Sequence, residues 1–302
     1  MKSQKLRKFH KKKANKVQLT SVEEAIMRTL CYRAVFTYPM SYFQLGTFLV
    51  SKERYSIEAF NEGLHSLLKK KLIINDDKGR FLLKGIRPVR WGVRAAYSKD
   101  LFAKVGDLVA ILKRVPWIKF IGVTGALAAY NAVKDDDIDL FVITQKKRLW
   151  LTRGFVFLIL IILGELRTDK HSKRKICPNI LIDEGNLKWK KKKRNIYVAH
   201  DLVMIHPIFD KDGAYFRFVS KNSWVTKYFA NLQPAFGDLG KTSYHKNVLM
   251  ESLESLARVL QKGYMKKKKT KEITKKDFIH FNKSDNTNKV LSEYERILSR
   301  NL

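Results

Sequence analysis

The chain has few cysteines and few acidic residues for its length. Of its 302 residues only Cys31 and Cys177 are cysteines. They lie too far apart in the sequence for a disulfide framework or a zinc motif, which suits a reducing compartment. Lysine and arginine number 61 against 28 aspartates and glutamates, giving a net charge of +33. That excess favours a polyanionic partner, namely nucleic acid, an anionic membrane surface or a nucleoside triphosphate, although short lysine runs are often only solvated faces.

Long apolar runs are also lacking. The longest, residues 155–163, is far shorter than the roughly 20 residues that span a bilayer. We expect it to form a helix that is buried on all sides, with a re-entrant or interfacial segment as the alternative, and we expect no stable membrane insertion. Residues 1–16 are basic and polar, with no apolar stretch behind them, so we expect no signal peptide and a cytoplasmic protein.

The order of apolar patterns and turn residues predicts an α+β fold in four parts. Residues 1–18 are expected to be a disordered basic tail. Residues 19–86 read as three short helices and two strands, which is typical of a winged-helix-like domain. Residues 87–190 contain a leading helix and a small mixed-sheet core, and residues 191–302 are expected to be a helical C-terminal region. His200 and His206 in this last part are expected to be structural or surface residues rather than metal ligands.

Local capping signals support the three N-terminal helices. The sequence Ser21-Val22-Glu23-Glu24 is predicted to form a capping box, and Ser41 and Ser56 are predicted to cap the next two helices. In DNA-binding winged-helix domains the third helix enters the major groove. Here that helix also carries Glu58 and Glu62, which would repel phosphates. A domain that only packs against the catalytic domain or against a partner is therefore the alternative interpretation.

One stretch, residues 120–144, combines a glycine turn with paired carboxylates. A strand is predicted at residues 117–123, followed by a tight turn at Gly125 and a second strand at residues 138–144. Asp137 and Asp139 are two residues apart, so their side chains project from the same face of that strand. Such carboxylates repel each other unless a cation lies between them, and Mg²⁺ typically takes one or two carboxylates together with substrate phosphates. A glycine turn that opens a helix also brings backbone N–H groups close to an anion.

This arrangement resembles the DNA polymerase β-like nucleotidyltransferase superfamily. The pattern of that family is an apolar residue, Gly-Ser or Gly-Gly, about ten further residues, and Asp-x-Asp within an apolar strand. The matching residues here are Val123-Thr124-Gly125-Ala126 and Asp137-Ile138-Asp139-Leu140. Ala126 departs from the pattern because it lacks the hydroxyl that contacts phosphate, and Thr124 is a candidate to supply one. The alternative is an acidic loop that leads into a buried strand.

The resemblance implies metal-dependent transfer of a nucleoside monophosphate from a nucleoside triphosphate to an acceptor hydroxyl. It implies two Mg²⁺ ions bridged by Asp137 and Asp139, with a third carboxylate on the strand after the next helix. Asp183 is the best match by position, and Glu184 is the fallback. Thr124, Gly125 and Ala126 would contact the nucleotide. Arg148 and Arg153 would neutralise the departing pyrophosphate. The alternative is that they are solvent-exposed loop residues.

The resemblance extends along the whole chain to an uncharacterised bacterial and archaeal group with a winged-helix-like N-terminal region. Its recurrent segments are matched by residues 148–153, 176–179 and 197–199. The acceptor stays open among a small molecule, an RNA end and a protein hydroxyl, and so does the oligomeric state. The main alternative function is a winged-helix protein that binds RNA or DNA and has a degenerate transferase core. Peripheral association with anionic lipid is a third.

Overall fold

The structure is a computed structural model that describes residues 18–232, 246–266, 273–281 and 286–302. The expected basic tail lies almost wholly outside these residues. The first part of the chain contains three helices and a hairpin, as the sequence predicts: α1 (Ser21–Ala34), α2 (Tyr42–Thr47), α3 (Ile57–Lys69), β1 (Ile73–Asn75) and β2 (Phe81–Leu83). β1 and β2 pair antiparallel. The assignment of this unit to the winged-helix architecture stays a prediction.

The capping box of α1 lies one residue earlier than the sequence predicts. Thr20 is the N-cap, and its side chain accepts a hydrogen bond from the Glu23 backbone N–H. The Glu23 carboxylate accepts one in return from the Thr20 N–H. The same carboxylate pairs with Lys70, 2.6 Å away at the end of α3. One buried glutamate therefore fixes the start of α1 against α3.

The middle of the chain alternates helices and strands: α4 (Trp91–Leu112), β3 (Ile118–Val123), α5 (Gly125–Ala128), β4 (Ile138–Thr144), α6 (Leu149–Ile162) and β5 (Ile176–Asp183). The predicted strands and the helix between β4 and β5 are confirmed. The sequence predicts a short helical stretch that runs to Ala132, but α5 ends earlier, because Tyr130 has a positive φ of 53° and ends the helical turn.

The last part of the chain is not purely helical. Within the described residues it holds α7 (Ile196–Val203), β6 (His206–Asp210), α8 (Ala214–Lys221), α9 (Val248–Lys266), β7 (Ile273–Thr274), β8 (Phe278–His280) and α10 (Thr287–Asn301), with short 3-10 helices at Lys191–Lys193 and Ser223–Lys227. The prediction of a helical C-terminal region is corrected by β6, β7 and β8. These strands are two to five residues long, too short to show a clear alternation in sequence.

All of these strands except the N-terminal hairpin join one mixed sheet. Its order is β6-β3-β4-β5-β8-β7. β4 and β5 are parallel and are connected by α6, whereas the other neighbours in the sheet are antiparallel. The coarse expectation of an α+β fold with a mixed sheet is therefore confirmed.

The two faces of the sheet bury separate hydrophobic cores. Phe120, Phe141 and Ile143 point to one face and pack with α1, α3, α7, α8 and α10. The alternate residues Ile121 and Val142 point to the other face and pack with α4 and α6. The N-terminal helices thus share a core with the C-terminal helices, and α1 packs directly on α10. The predicted boundaries between the parts stay predictions.

The apolar helix α6 is buried on one side only. Trp150, Val156 and Leu160 are fully buried, whereas Leu158 and Ile162 are 53% and 73% exposed. The expectation of burial on all sides is thereby corrected, because α9 covers only part of the helix. Within the described ranges, no helix is both long and apolar enough to span a membrane.

Candidate active site

The turn between β3 and α5 is bound to β4 at Asp139. The Thr124 N–H donates a 2.9 Å hydrogen bond to the Asp139 carbonyl. The next residue, Gly125, has a φ of +68°, and a Cβ there would lie 3.1 Å from Asp139 Oδ2. Glycine is therefore required at this position both by the backbone conformation and by the close approach of the carboxylate.

Asp137 and Asp139 meet a thiol rather than a third carboxylate. The ligand atoms of Asp137, Asp139 and Cys177 all lie within 4.8 Å of one another. Cys177 is brought there by the parallel pairing of β4 and β5, in which it stands opposite Asp139. The structure thus brings together the two aspartates that the sequence singled out, and it adds a residue that the sequence did not.

The structure does not bring Asp183 to this pair. Asp183 stands opposite Thr144 at the other end of β5, six residues beyond Cys177 and roughly 20 Å away at about 3.3 Å per residue. Its carboxylate accepts hydrogen bonds from the backbone N–H groups of Lys147 (3.1 Å) and Gly185 (2.7 Å). The expected set of three carboxylates therefore does not form, and Asp183 instead ties together the loops that follow β4 and β5. The fallback, Glu184, pairs with Arg217.

Arg148 and Arg153 also lie at the far end of the sheet. Both follow the C-terminal end of β4, whereas Asp139 lies near its start. Arg148 is 4% exposed and donates to the Lys147 carbonyl. Arg153 is 6% exposed, hydrogen-bonds to Gln261 and stacks on Phe157. The expectation that these arginines contact a nucleotide at Asp139 is thus corrected, because strand direction separates them from it.

A cation that sequence reasoning missed stands beside the acidic pair. Arg167, in the loop before β5, places its Nε 2.7 Å from Asp137 Oδ2. Burial, together with the charge of Asp137, raises the pKa of Asp139 to about 7 even though Arg167 opposes the shift. Burial and the Asp139 charge raise the pKa of Cys177 to about 12, so its thiol stays neutral.

Asp139 lines a cavity of about 710 Å³, a volume typical of small-molecule sites. Thr124, Gly125 and Asp139 line one end. Further along, its wall is aromatic, formed by Trp189, Tyr197, Phe278 and His280. Aromatic walls provide faces on which a nucleobase can stack.

Two further polar groups of the cavity were not anticipated. Asp201, on α7, accepts a hydrogen bond from Tyr197, and burial raises its pKa to about 7 with a contribution from Asp139. Tyr197 and Asp201 are four residues apart, and this helical spacing was the available sequence signal. Asn179 also lines the cavity, and its Oδ1 is buried with no hydrogen-bond partner in the described part of the chain.

These groups fit a hard cation. Asp137 and Asp139 offer carboxylate oxygens, and Asn179 Oδ1 is an acceptor without a partner in the described residues. Oxygen donors of this kind suit Mg²⁺, which needs only one or two carboxylates when a substrate supplies phosphates. The neutral Cys177 thiol is a poor ligand for Mg²⁺, because the softer thiolate prefers transition metals.

Comparison with known proteins gives no relative from which a function can be transferred. The chain matches no protein-family model, no curated protein and no solved structure. The assignment of a function therefore depends on the geometry of the cavity and on the chemistry of its residues.

Proposed function

We propose that the chain is a metal-dependent nucleotidyltransferase of the DNA polymerase β-like type. In this proposal it moves a nucleoside monophosphate from a nucleoside triphosphate to an acceptor hydroxyl. The observation that carries the proposal is the contact between the Gly125 turn and Asp139, with Asp137 alongside, at the end of a large aromatic cavity. A glycine turn beside paired carboxylates offers phosphate-binding N–H groups next to a cation site.

Asp137 and Asp139 would hold Mg²⁺, and the Asn179 amide oxygen would complete the protein ligands. When bound, the ion neutralises charge on the phosphates and lowers the pKa of an attacking hydroxyl. Of the two ions that the resemblance implies, the second would draw on Asp201, the other carboxylate that lines the cavity. Ala126 presents no hydroxyl, so nucleotide contacts at this turn come from the backbone.

The aromatic wall would orient the nucleotide. Trp189 and Phe278 meet edge to face, with ring centroids 5.5 Å apart, and Tyr197 is held by its hydrogen bond to Asp201. A base stacked on these rings would position the α-phosphate at the acidic pair and exclude water from it. Such positioning supplies much of the catalysis in phosphoryl transfer.

The test is nucleotide binding measured by calorimetry with Mg²⁺ and with chelator. We expect the wild type to bind a nucleoside triphosphate only with Mg²⁺, and Asp139→Asn to abolish that binding. Asp183→Asn is the matched control, since it removes a buried aspartate from the other end of the same sheet. Equal binding with Mg²⁺ and with chelator would contradict the proposal. Incubation with each labelled nucleotide and cell extract would then identify the acceptor.

A second candidate function is nucleic-acid binding by the N-terminal unit, with an inactive core. It is favoured by the neutral thiol of Cys177, which stands on β5 where the resemblance implies a carboxylate. Tight DNA binding without nucleotide turnover would support it. Mg²⁺-dependent consumption of nucleotide would support the transferase instead.

A further inference from the structure

Two lysines meet at the far end of the cavity. The ammonium groups of Lys190 and Lys275 are within hydrogen-bonding distance, and this contact is the main cause of a lowered pKa of Lys275. Asp277 is the acidic neighbour of Lys275, and its opposing effect is the smallest of those acting on it. Both lysines line the cavity. Two like charges in contact are unfavourable unless an anion lies between them.

This lysine pair is remote from the Gly125 turn and the acidic pair. Lys275 directly follows β7, which stands three strand positions from β4 in the sheet. At about 4.8 Å per strand, that is about 14 Å across the sheet. Lys275 also lies level with Phe278, which is opposite Ile182 and hence opposite Ile143, four residues beyond Asp139 or about 13 Å along the strands. These backbone distances place Lys275 in a different part of the cavity from the Gly125 turn.

The charges of the cavity are therefore divided between its two ends. Asp139 and Asp201 are the carboxylates among its lining residues, and the interaction between them shows that they lie near each other. Among the described residues, four lysines line the cavity as well: Lys188, Lys190, Lys193 and Lys275. The aromatic wall includes Trp189, between two of these lysines in sequence. One end thus suits a cation, and the other suits an anion.

We propose that Lys190 and Lys275, assisted by Lys188 and Lys193, form a second anion site that binds a phosphate group of the acceptor substrate. The acceptor is then a phosphate-bearing molecule, which removes an unmodified protein hydroxyl from the possible acceptors. This inference rests on the proposed transferase function, since only a transferase has an acceptor. The phosphate can belong to a single-stranded nucleic acid, whose bases would stack on the aromatic wall, or to a phosphorylated small molecule.

The test measures phosphate binding separately from nucleotide binding. A fluorescent single-stranded hexaribonucleotide with a 5′-phosphate is titrated in chelator, and glucose 6-phosphate is used as a competitor. We expect Lys190→Gln/Lys275→Gln to weaken the binding of these probes by about tenfold or more, because each charged contact is strong. Lys52→Gln/Lys99→Gln is the matched control. It removes the same charge from exposed positions outside the cavity and is expected to bind as the wild type does.

The outcomes separate this inference from the proposed function. Binding of both probes at the lysine pair supports a shared phosphate site, and binding of one alone identifies the source of the phosphate. If the lysine variant binds as its control does, the second site is overturned. It is equally overturned if the lysine variant loses Mg²⁺-nucleotide binding by the same factor, since the lysines would then hold the nucleotide. Loss of Mg²⁺-dependence in the wild type would overturn the proposed function. The lysine site would then stand as a phosphate site without an acceptor role, because the probe titration contains no metal.

Discussion

Arg167 pairs with Asp137, its Nε 2.7 Å from the carboxylate Oδ2. The guanidinium lies beside the acidic pair on the side of Asp137, and its charge partly offsets the rise in the pKa of Asp139. An arginine in this place compensates part of the repulsion between the two aspartates. Arg167 and a divalent cation therefore compete for the same carboxylate.

Removing that competitor should tighten metal binding. We expect Arg167→Gln to raise the Mg²⁺ affinity by about tenfold, because the variant removes a positive charge that opposes cation binding at the acidic pair. Arg174→Gln is the control, since Arg174 lies in the same loop but pairs with Asp100 on the surface. The measurement is Mg²⁺ titration by calorimetry. A weaker affinity in Arg167→Gln would mean that Arg167 orients Asp137 rather than competing for it.

The Gly125 turn can be tested by adding a single methyl group. Gly125→Ala and Gly79→Ala both place alanine at a positive φ, and each should lose about 1–2 kcal/mol of unfolding free energy. Only at Gly125 does the new Cβ meet Asp139 Oδ2, whereas nothing lies within 4 Å at Gly79. We expect only Gly125→Ala to lose Mg²⁺-dependent nucleotide binding. Similar nucleotide binding by the two variants would show that the turn does not act through Asp139.

The stability of the metal-free protein should fall as pH rises from about 4 to about 7. In the folded protein the pKa of Asp139 is raised from 3.8 to about 7, and that of Asp201 is raised to about 7 as well. Between these values the unfolded chain is ionised while the folded protein keeps its protons. Over this range the folded state binds more protons than the unfolded chain does. Raising the pH therefore favours the unfolded chain and lowers the free energy of unfolding. Below about pH 4 and above about pH 7, the ionisation of these two groups does not make the stability depend on pH.

Urea unfolding in chelator at pH 5 and pH 8 measures this dependence. Asp139→Asn should be more stable than wild type at pH 8 and should show a smaller difference between the two pH values, because its side chain does not ionise. Asp77→Asn, at an exposed position in the turn between β1 and β2, serves as the control. If the stability of Asp139→Asn differed between pH 5 and pH 8 by as much as that of the wild type, this carboxylate would not be the titrating group.

Glu254 should be the most important single side chain for holding α9 to α6. Its carboxylate accepts hydrogen bonds from the Trp150 N–H (2.8 Å) and the Leu151 N–H (2.9 Å) at the start of α6, and it is 6% exposed. Glu254→Ala leaves these buried donors unpaired and should cost about 1–3 kcal/mol in urea unfolding. Glu293→Ala breaks an exposed pair with Arg296 and should cost less than about 1 kcal/mol. Equal losses would argue that water replaces the Glu254 carboxylate.

The sequence predicted the β3–turn–β4 unit because its determinants are local. Apolar residues on both strands, the glycine between them and the two-residue spacing of Asp137 and Asp139 all lie within residues 118–144. The side chains that complete the site come from elsewhere. Arg167 arrives from a loop and Asp201 from α7, and no pattern within either segment specifies which part of the sheet it meets.

The predicted positions of Asp183, Arg148 and Arg153 were wrong for a different reason. Parallel strands joined by a crossover helix begin at the same end of the sheet, so the start of β5, at Cys177, lies beside the start of β4, at Asp139. Asp183 ends β5 and Arg148 follows the end of β4, which places both at the opposite end. Strand direction was available from the sequence, whereas the β5 register, with its irregularity after Cys177, was not.

The pairing of β5 with β8 sets the order in which the sheet can close during synthesis. β5 ends at Asp183, but its partner on the outer side, Phe278–His280, is translated about 100 residues later. At ribosomal rates of about 5–20 residues per second, the outer edge of β5 stays unpaired for roughly 5–20 seconds. An open edge of this kind invites pairing with other chains. The nascent chain is therefore most exposed to aggregation, and most dependent on chaperones, after its glycine turn and aspartates have already been made.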